Sequence, residues 1–320
     1  MSNAVMFLRA QTSLHPGSGA SVGSIDLPIQ RERHTRWPNF QSSGIKGVLR
    51  DAYRVHLIEA GTCQDRDKAN DHDEVRAIFG PASGDAHAGA LIPTDARILA
   101  FPVRSARGVF AWVTCPGVIE RAIRDMKMAG MTPSFSTVSE PHDEEAWLPS
   151  QFGDLSVKPN GIVLVLEDLT FNGMKKTEVD AFAQWLAVQG CGMSNAPAPG
   201  SGLGDPRKRL VVLSDTAFTH FVVHATEVTA RIGLDAQTKK VRDGALFTQE
   251  FLPPETILYN VLLAVKPRMN STTLTAGTVI NNVRHILNGK IHQFGGDETT
   301  GKGWCWVRVE TPTTPGGGPS

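Results

Sequence analysis

The chain has 320 residues, of which 41% are hydrophobic and 20% charged, so it can bury a sizeable core and is neither disordered nor fibrous. Lys plus Arg and Asp plus Glu both number 32, and a nucleic-acid site therefore has to come from a local cluster of cations. No apolar run approaches the roughly 20 residues that span a bilayer, and the N-terminal residues carry no basic leader. We expect no membrane segment and no signal peptide.

The four cysteines are widely separated, and none has the C-x-x-C spacing of a zinc ribbon or a redox motif. Scattered thiols of this kind are typical of the reducing cytosol. We therefore predict free, mostly buried thiols and a cytoplasmic protein.

The first half of the chain is predicted to alternate strands and helices. Residues 4–10 have the pattern of a strand, and apolar spacing over 43–60 predicts a helix that Ser42 and Ser43 can cap. Lys46 and Arg50 are four residues apart and share one face of this helix. The other elements predicted here are an exposed insertion over 61–73, a hairpin of strands over 90–105 and 108–116, and a helix over 117–130.

The second half combines further strands with two helices. The predicted strands are 161–171, 210–215, 220–235, a run within 245–265, and a strand–turn–strand over 291–310; the predicted helices are 177–192 and 270–290. Two β-rich runs joined by the polar residues 235–244 predict a long hairpin that projects from the body. The irregular alternation favours an α+β fold with helices on one side of a sheet over a doubly wound parallel sheet.

Two motifs suggest a cofactor or metal site but are better explained as ordinary structural features. Gly17, Gly19 and Gly23 superficially suggest dinucleotide binding, but Pro28 and Pro38 prevent the helix that this fingerprint requires. His220 and His224 are four apart, and the apolar residues between them predict a strand. Without a third ligand, ordinary strand histidines are a better explanation than a metal pair.

The most informative stretch is 14–50. It combines glycine-bearing turns, the single carboxylate Asp26, a basic run from Arg31 through Arg33, His34 and Arg36, and a helix start with Lys46 and Arg50. Free backbone N–H groups, a helix N-terminus and cations one turn apart are typical of a site for the phosphate backbone of a nucleic acid. A solvated loop remains the alternative at this point. A second glycine-rich segment with a lysine, 293–303, predicts the close approach of a backbone or a ligand.

These segments together resemble the RAMP superfamily of CRISPR proteins, and most closely the fourth, repeated backbone subunit of type III-B (Cmr) effector complexes. The resemblance rests on LHPGSG, GSIDLPIQRERHT, PNFQSSGIKGVLR, IFGPASG, residues 94–122, residues 225–259 and FGGDETTGKG, and it is weakest in 60–75, 131–160 and the tail. It implies a single RAMP domain over 1–310 and a disordered tail over 311–320. The domain would contain an RRM-like (ferredoxin-like) palm, a helical insertion around 50–90 and a β-hairpin thumb around 190–260.

The resemblance also implies a function. Members of the family bind a guide CRISPR RNA and cut complementary single-stranded target RNA at regular intervals with a divalent metal, Mg²⁺ or Mn²⁺. The implied partners are CRISPR RNA, target RNA, further copies of the chain in a helical filament, and other Cmr-type subunits. The expected products are a 2′,3′-cyclic phosphate and a 5′-hydroxyl.

Site residues follow by matching the family motifs to this sequence. Catalytic positions fall on Asp26, His15 and Glu250, and RNA-binding positions on Ser43, Lys46, Arg50, Gly295, Gly296 and Lys302, to which the basic run adds Arg31. An aspartate with an ordinary pKa near 3.9 is a poor base at neutral pH, so we expect Asp26 to hold the metal. His15 or a metal-bound water would then serve as the acid or base.

Two other functions are compatible with the same residues. The chain could be a non-catalytic scaffold that holds the guide–target duplex while other subunits act. It could also be a guide-processing ribonuclease that cuts free precursor RNA, although no catalytic histidine pair is evident near the N-terminus.

Overall fold

A computed structural model describes residues 1–21, 23–82, 87–153, 155–193, 204–235, 237–238, 240–269 and 272–312. Helices and strands are mixed along these residues, which confirms the predicted α+β class. The helices are α1 (Ser42–Glu59), α2 (Arg66–Asp71), α3 (Asp73–Phe79), α4 (Pro116–Met128), α5 (Thr177–Trp185), α6 (Pro206–Arg209), α7 (Asp215–His224) and α8 (Ala276–Leu287). A π-helical turn, Leu186–Gly190, follows α5, and a 3-10 turn lies at Glu298–Thr300.

The strands are β1 (Ser2–Ala10), β2 (Asn39–Phe40), β3 (Leu91–Pro93), β4 (Ala96–Ser105), β5 (Val109–Thr114), β6 (Glu145–Leu148), β7 (Ile162–Leu166), β8 (Leu169–Lys175), β9 (Leu210–Val212), β10 (Glu227–Leu234), β11 (Val241–Phe251), β12 (Ile257–Ala264), β13 (Lys290–Gln293) and β14 (Trp304–Glu310). Twelve of them belong to one large sheet. The other two, β10 and β11, form a separate two-stranded sheet.

Four antiparallel strands, in the order β14–β1–β12–β4, form the centre of the large sheet. The apolar run in β1 is buried at successive residues, so both faces of this strand are covered. Phe7 on β1 meets Trp185 of α5 edge to face, with ring centroids 5.4 Å apart. Helix α8 packs on β1, β12 and β14 and also contacts α1. The core therefore lies on both sides of β1.

A ring of strands extends the sheet beyond β4. It runs through β5, β9, β6, β8 and β7 and returns to β4 at a single bridge between Ser105 and Leu166. The predicted strand over 161–171 is wrong as a single element, because a turn at Glu167 and Asp168 divides it into the hairpin β7–β8. Glu167 adopts a positive φ of 47°, a turn conformation that the apolar pattern does not reveal.

The hairpin β10–β11 confirms the predicted pair of β-rich runs around 235–244. Its register pairs Glu227 with Phe251 at the base and Leu234 with Val241 near the tip. The hairpin is largely exposed and shows apolar side chains to solvent, among them Ile232 and Leu246.

A further prediction about local structure is wrong. Residues 220–224 of the predicted strand over 220–235 belong to helix α7, because Phe218, Phe221 and Val222 bury one helical face and the Ser214 hydroxyl caps the first turn. His220 and His224 consequently share a helix face, with ring centroids 4.8 Å apart. Within the described residues, no group of three or more potential ligands could hold a metal ion.

The start of α1 also differs from its predicted capping. Gln41 is the N-cap residue and makes no side-chain cap, and both serines lie inside the first turn. Instead, the Ser42 N–H donates to Oδ1 of Asp95 at 2.7 Å. The cap therefore comes from a residue 53 positions away, which no local motif could indicate.

The cysteines and the membrane prediction can be compared with the structure. All four cysteines are free, and Cys63 alone is not buried. Across the described residues, no helix is long and apolar enough to cross a bilayer. Part of the segment around 190–260 that the resemblance assigns to the thumb, residues 194–203 above all, and all but two residues of the predicted tail lie outside the described residues.

Candidate nucleic-acid interface and catalytic carboxylate

Three segments meet at the base of the hairpin: the N-terminal loop (residues 13–31), strand β11, and the glycine-rich loop (residues 294–303). The N-terminal loop bonds to the β11 edge that faces away from β10. The Leu27 N–H donates to the Thr248 carbonyl at 3.0 Å, and the Glu250 N–H donates to the Leu27 carbonyl at 3.0 Å. Four residues beyond Thr248, Leu14 and Leu252 form a two-way bridge with bonds of 2.9 and 2.8 Å. These backbone bonds fix the loop against the hairpin.

Asp26 is exposed, and Thr248 holds its side chain in place. Oδ2 of Asp26 accepts the Thr248 N–H at 2.7 Å and the Thr248 hydroxyl at 2.8 Å. These two hydrogen bonds, the backbone one first, lower the pKa of Asp26 below its usual 3.8, because they stabilise the charged form. Asp26 is thus an oriented anion at neutral pH. No described residue donates to its other carboxylate oxygen, Oδ1.

His15 is buried at the same hairpin base. Its Nδ1 lies 2.7 Å from the Glu250 carbonyl oxygen, and since a carbonyl only accepts, Nδ1 carries the proton. The ring tilts against Phe251 with centroids 5.5 Å apart. A Cβ at Gly17 would lie 2.6 Å from Nε2, and a Cβ at Gly295 would collide with the His15 carbonyl oxygen. The close approach predicted for the segment 293–303 is therefore to the His15 backbone, and Gly17 lies against the His15 ring.

Glu250 is 3% exposed, and both of its carboxylate oxygens are hydrogen-bonded. Oε1 accepts from Arg31 at 2.6 Å and from the Thr226 hydroxyl at 2.8 Å, while Oε2 accepts the Ile29 N–H at 3.0 Å. The Arg31 guanidinium also donates to the carbonyl oxygens of Val222 and of Arg36. Glu250 and Arg31 are therefore occupied with joining the hairpin to the N-terminal loop. Neither side chain is therefore free to contact a substrate.

The glycine-rich loop bonds to the same hairpin. Asp297, in a left-handed conformation, accepts from Arg231 of β10 at 2.8 Å and from Gln249 of β11 at 2.5 Å. The Gly296 N–H donates to the His15 carbonyl at 3.0 Å. The Lys302 ammonium lies over the Phe251 ring at 5.1 Å and donates to the Ser13 hydroxyl. Lys302 is half-buried beside the loop.

The predicted RNA-binding face of α1 lies next to these loops. Ser43 is exposed, and Lys46 is half-buried with no hydrogen-bond or ion-pair partner in the part of the chain that the structure describes. Burial, and then the charge of Arg50, lower the pKa of Lys46. Burial, and then Arg54, lower that of Arg50, which donates to the Asn70 side chain at 3.0 and 2.8 Å. Like charges held close together in this way favour an anionic partner.

The structure thus collects most of the predicted site residues at one place. Asp26, His15, Glu250, Arg31, Gly295, Gly296 and Lys302 surround the hairpin base, and Ser43, Lys46 and Arg50 lie on α1. The two groups are linked by an edge-to-face contact of Phe40, just before α1, with Phe294 of the glycine-rich loop at 6.2 Å. Sequence reasoning missed Thr248 and Asp297. They are more than 200 residues from Asp26 or His15, and only the family resemblance of 225–259 brought attention to the segment around Thr248.

The donor set at Asp26 suits a hydrated magnesium ion better than a closed protein cage. One carboxylate oxygen without a described donor is present, and the described residues offer no cluster of three ligands. Mg²⁺ is usually bound by one or two carboxylates together with substrate phosphates and waters. The residues present therefore fit a metal that binds together with a phosphate.

Comparison with known proteins shows which family the chain belongs to. A sequence model of the RAMP superfamily matches residues 7–306. The chain is 34% identical over 314 residues to the CRISPR system Cmr endoribonuclease Cmr4 of Pyrococcus furiosus, an alignment that covers 96% of this chain and 95% of that protein. It is 22% identical over 315 residues to the CRISPR system CMR subunit Cmr4 of Saccharolobus solfataricus, covering 94% of each. The chain belongs to the RAMP superfamily and, within it, to the Cmr4 family, which confirms the predicted resemblance.

Solved structures agree. The crystal structure of oligomeric Cmr4 from Pyrococcus furiosus superposes with a TM-score of 0.70 at 26% identity, over 98% of this chain and 100% of that one. A cryo-EM structure of type III-B Cmr-beta bound to cognate target RNA gives a TM-score of 0.65 at 21% identity, over 97% of each chain. At this lower identity the likeness establishes the fold alone.

Proposed function

We propose that this chain is a backbone subunit of a type III-B CRISPR effector complex. In this role it binds guide RNA, lines up with further copies and other Cmr-type subunits, and cuts complementary target RNA at regular intervals. The identity to Cmr endoribonuclease Cmr4 of Pyrococcus furiosus over nearly the whole chain supports this role. The observation that carries the catalytic part is the exposed carboxylate of Asp26, fixed by Thr248 at the hairpin base.

We also propose the finer architecture that goes with this function. The order β1–α1–β4–β12–α8–β14, with the central strands arranged β14–β1–β12–β4, is that of an RRM-like palm, and it supports this assignment. Helices α2 and α3 would be part of the insertion, and β10–β11 the thumb. A CRISPR effector acting on RNA would work in the cytoplasm.

Guide binding is proposed for α1 and the glycine-rich loop. Ser43 is exposed at the first turn of α1, where backbone N–H groups attract phosphates. Lys46 and Arg50 follow at one-turn spacing, and their lowered pKa values indicate that they are held close together in a half-buried setting. Lys302 would add a cation from the glycine-rich loop, where Gly295 and Gly296 hold the backbone against His15. Contacts of this kind hold an RNA backbone whatever its sequence.

Cutting is proposed to use the RNA's own 2′-hydroxyl. When the strand is bent so that this oxygen lies in line with the phosphorus and the departing 5′-oxygen, positioning supplies much of the acceleration. A bond forms between the 2′-oxygen and phosphorus, and the bond to the 5′-oxygen breaks. The 2′-hydroxyl proton goes to a base, and the 5′-oxygen takes up a proton. The products are a 2′,3′-cyclic phosphate and a 5′-hydroxyl.

The chain's own residues would have distinct parts in this step. Asp26, anionic at neutral pH, would hold Mg²⁺ or Mn²⁺ against the target phosphate, and such an ion stabilises negative charge on phosphoryl oxygens. His15 and Glu250 are buried and hydrogen-bonded to the hairpin and loop, which favours positioning roles for both. Arg31, paired with Glu250, would support the same geometry rather than contact RNA directly.

The Asp26→Asn variant tests the catalytic assignment. We expect it to assemble with guide RNA and capture target RNA as the wild type does, while target cutting falls by at least about 100-fold, because a neutral amide is a weak metal ligand. Asp235→Asn is the matched control. Asp235 also accepts an N–H and a hydroxyl, from Thr238, and its pKa is also lowered by those bonds, but it lies at the hairpin tip.

Three outcomes separate the alternatives. Loss of cutting in Asp26→Asn but not in Asp235→Asn supports the proposed nuclease. Undiminished Mg²⁺-dependent cutting by Asp26→Asn complexes would contradict the assignment of Asp26. Assembly without any cutting by the wild-type complex would favour the scaffold.

A further inference from the structure

A compact turn connects the Asp26 region to helix α1. We call residues 31–38 the cationic turn. Its ends meet at a bridge between Arg31 and Pro38, and inside it the Glu32 N–H donates to the Trp37 carbonyl at 2.9 Å. The Arg36 N–H donates back to the Glu32 carbonyl at 2.8 Å. Trp37 is buried and donates from its indole to the Thr219 hydroxyl, so the turn is anchored to α7.

The backbone of this turn is strained at one residue. Arg36 has a φ of 62°, in the left-handed region that favours glycine. Its carbonyl is held by the Arg31 guanidinium, which is itself fixed by Glu250. Its own side chain is exposed and has no hydrogen-bond or ion-pair partner among the described residues. Nothing within the described fold therefore accounts for an arginine where glycine would be unstrained.

Ion pairing divides the cations around the turn into two groups. Arg31, Arg97 and Arg121 are each paired, with Glu250, Asp125 and Glu32 respectively. Arg33 and Arg36 are exposed, and neither pairs with any described residue. Arg33 and Arg36 are therefore the members of this group whose positive charge has no ion-pair partner among the described residues.

The surface beside the turn is open enough for a nucleic-acid backbone. A cleft of about 640 Å³ is lined by the turn together with Arg97, Arg121 and Arg124, and also by Asp95 and Glu120. Asp95 already accepts the Ser42 N–H, and Arg124 lies 3.7 Å from Asp125. Glu120 is the one carboxylate lining this cleft that has no bond to a described residue. Of the two unpaired arginines, Arg33 lines this cleft, and Arg36 is exposed on the same turn outside its lining.

We propose that Arg33 and Arg36 form a phosphate-binding site for the RNA strand that flanks the position cut at Asp26, a proposal that rests on the proposed function. Arg33 is seven positions after Asp26, so their Cα atoms lie within about 25 Å of each other, a few nucleotides along an RNA strand. Arg36 is exposed on this turn and has no partner among the described residues, so its guanidinium is available to a phosphodiester. The half-buried Arg31, predicted from the sequence to bind RNA, supports the turn by donating to the Arg36 carbonyl.

The Arg36→Gly variant gives two readouts of opposite sign. Glycine relieves the positive φ, so we expect the melting temperature to rise by about 2 °C. Removal of the guanidinium is expected to weaken RNA binding about three- to tenfold. The slope of log K against log[salt] should become shallower by about 0.7, the value for one phosphate contact on a single strand. Arg33→Ala should weaken binding similarly without raising the melting temperature.

Val109→Gly and Arg104→Ala are the matched controls. Val109 also has a positive φ, 77°, and is exposed, so its glycine variant should be stabilised with RNA binding unchanged. Arg104 is 71% exposed but paired with Glu167, and its loss should leave RNA affinity unchanged. These controls separate relief of strain and general loss of charge from loss of a specific contact.

Binding is measured in two ways, guide RNA to the purified chain and complementary target RNA to the guide-loaded complex. Weakening in the first assay assigns the turn to the guide, and weakening only in the second assigns it to the target. If Arg33→Ala and Arg36→Gly leave both affinities and both salt slopes unchanged while Lys46→Ala weakens guide binding, the cationic turn is not an RNA site and the proposed function stands. If Lys46→Ala also has no effect, the proposed function itself is in error.

Discussion

At the scale of single residues, Thr248 determines what Asp26 can do. Its N–H and hydroxyl both donate to the same carboxylate oxygen, across 222 positions of sequence. The bonds lower the pKa of Asp26 below its usual 3.8, so the carboxylate is ionised at neutral pH. The stabilisation these bonds provide is present above the usual pKa and lost as the pH falls through the lowered pKa. Asp26 is thereby suited to hold a cation rather than to take a proton.

Thr248→Val is predicted to slow target cutting about tenfold, because the valine keeps the N–H but loses the hydroxyl that orients Asp26. The pKa of Asp26 should rise towards 3.8 and remain far below the assay range. The rate profile between pH 5 and pH 9 should therefore keep its shape at a lower rate. The measurement is single-turnover cutting by guide-loaded complexes across that range.

Two variants serve as controls for Thr248→Val. Thr248→Ser restores a hydroxyl and is expected to recover most of the rate. Thr238→Val removes the equivalent hydroxyl beside Asp235 at the hairpin tip and is expected to cut normally. A change of profile shape in Thr248→Val, with an acid limb moving above pH 5, would instead indicate that Asp26 acts as the base.

At the scale of elements, the ion pair of Arg31 with Glu250 joins the hairpin to the N-terminal loop. Glu250 is 3% exposed and its pair distance is 2.6 Å, so the two charges are largely withdrawn from water. Breaking one side of a buried pair leaves the other charge uncompensated, whereas replacing both with apolar groups is much less costly. This difference separates a structural role of Glu250 from a catalytic one.

Glu250→Gln is predicted to destabilise the chain by about 3 kcal/mol and to slow cutting, because it leaves Arg31 unpaired. The double variant Arg31→Met with Glu250→Gln should regain part of the melting temperature and, with it, part of the cutting rate. Thermal unfolding and cutting are measured on the same preparations. A double variant that regains stability but still fails to cut would show that Glu250 takes part in the chemistry.

Some of the helices and strands could be predicted from the sequence, and others could not. Helices α1 and α8 and the hairpin β10–β11 followed from apolar spacing and from the polar connection between two β-rich runs. Helix α7 was missed because Phe221-Val222-Val223 has strand propensity, which the Ser214 cap and burial of one face override. The turn at Glu167 was missed because its positive φ is carried by an ordinary residue.

The candidate site divides in the same way. Asp26, Lys46 and Arg50 stand in recognisable local motifs and could be chosen from the sequence. The pairing of Asp26 with Thr248 and of Arg31 with Glu250 could not, because each joins residues more than 200 positions apart through the sheet. For the same reason the sequence could not distinguish the half-buried, ion-paired Arg31 from the exposed Arg33 and Arg36.

At the scale of the whole molecule, the proposed function requires that several copies of the chain assemble on guide RNA. The described hairpin exposes apolar residues on a two-stranded sheet, and its base carries Asp26. We predict that the purified chain forms particles containing one guide RNA and several copies. Native mass spectrometry measures this directly, and a nucleic-acid-free monomer that ignores added guide RNA would contradict it.

The central claim is that each copy in such an assembly cuts the target once, beside its own Asp26. It is tested by mixing wild-type and Asp26→Asn chains in known proportions before loading guide RNA, and by mapping every cut on an end-labelled target. We predict that the cuts fall at one regular spacing and that each one declines in proportion to the fraction of variant chains. Cuts that persist in complexes built wholly from Asp26→Asn chains would contradict the account.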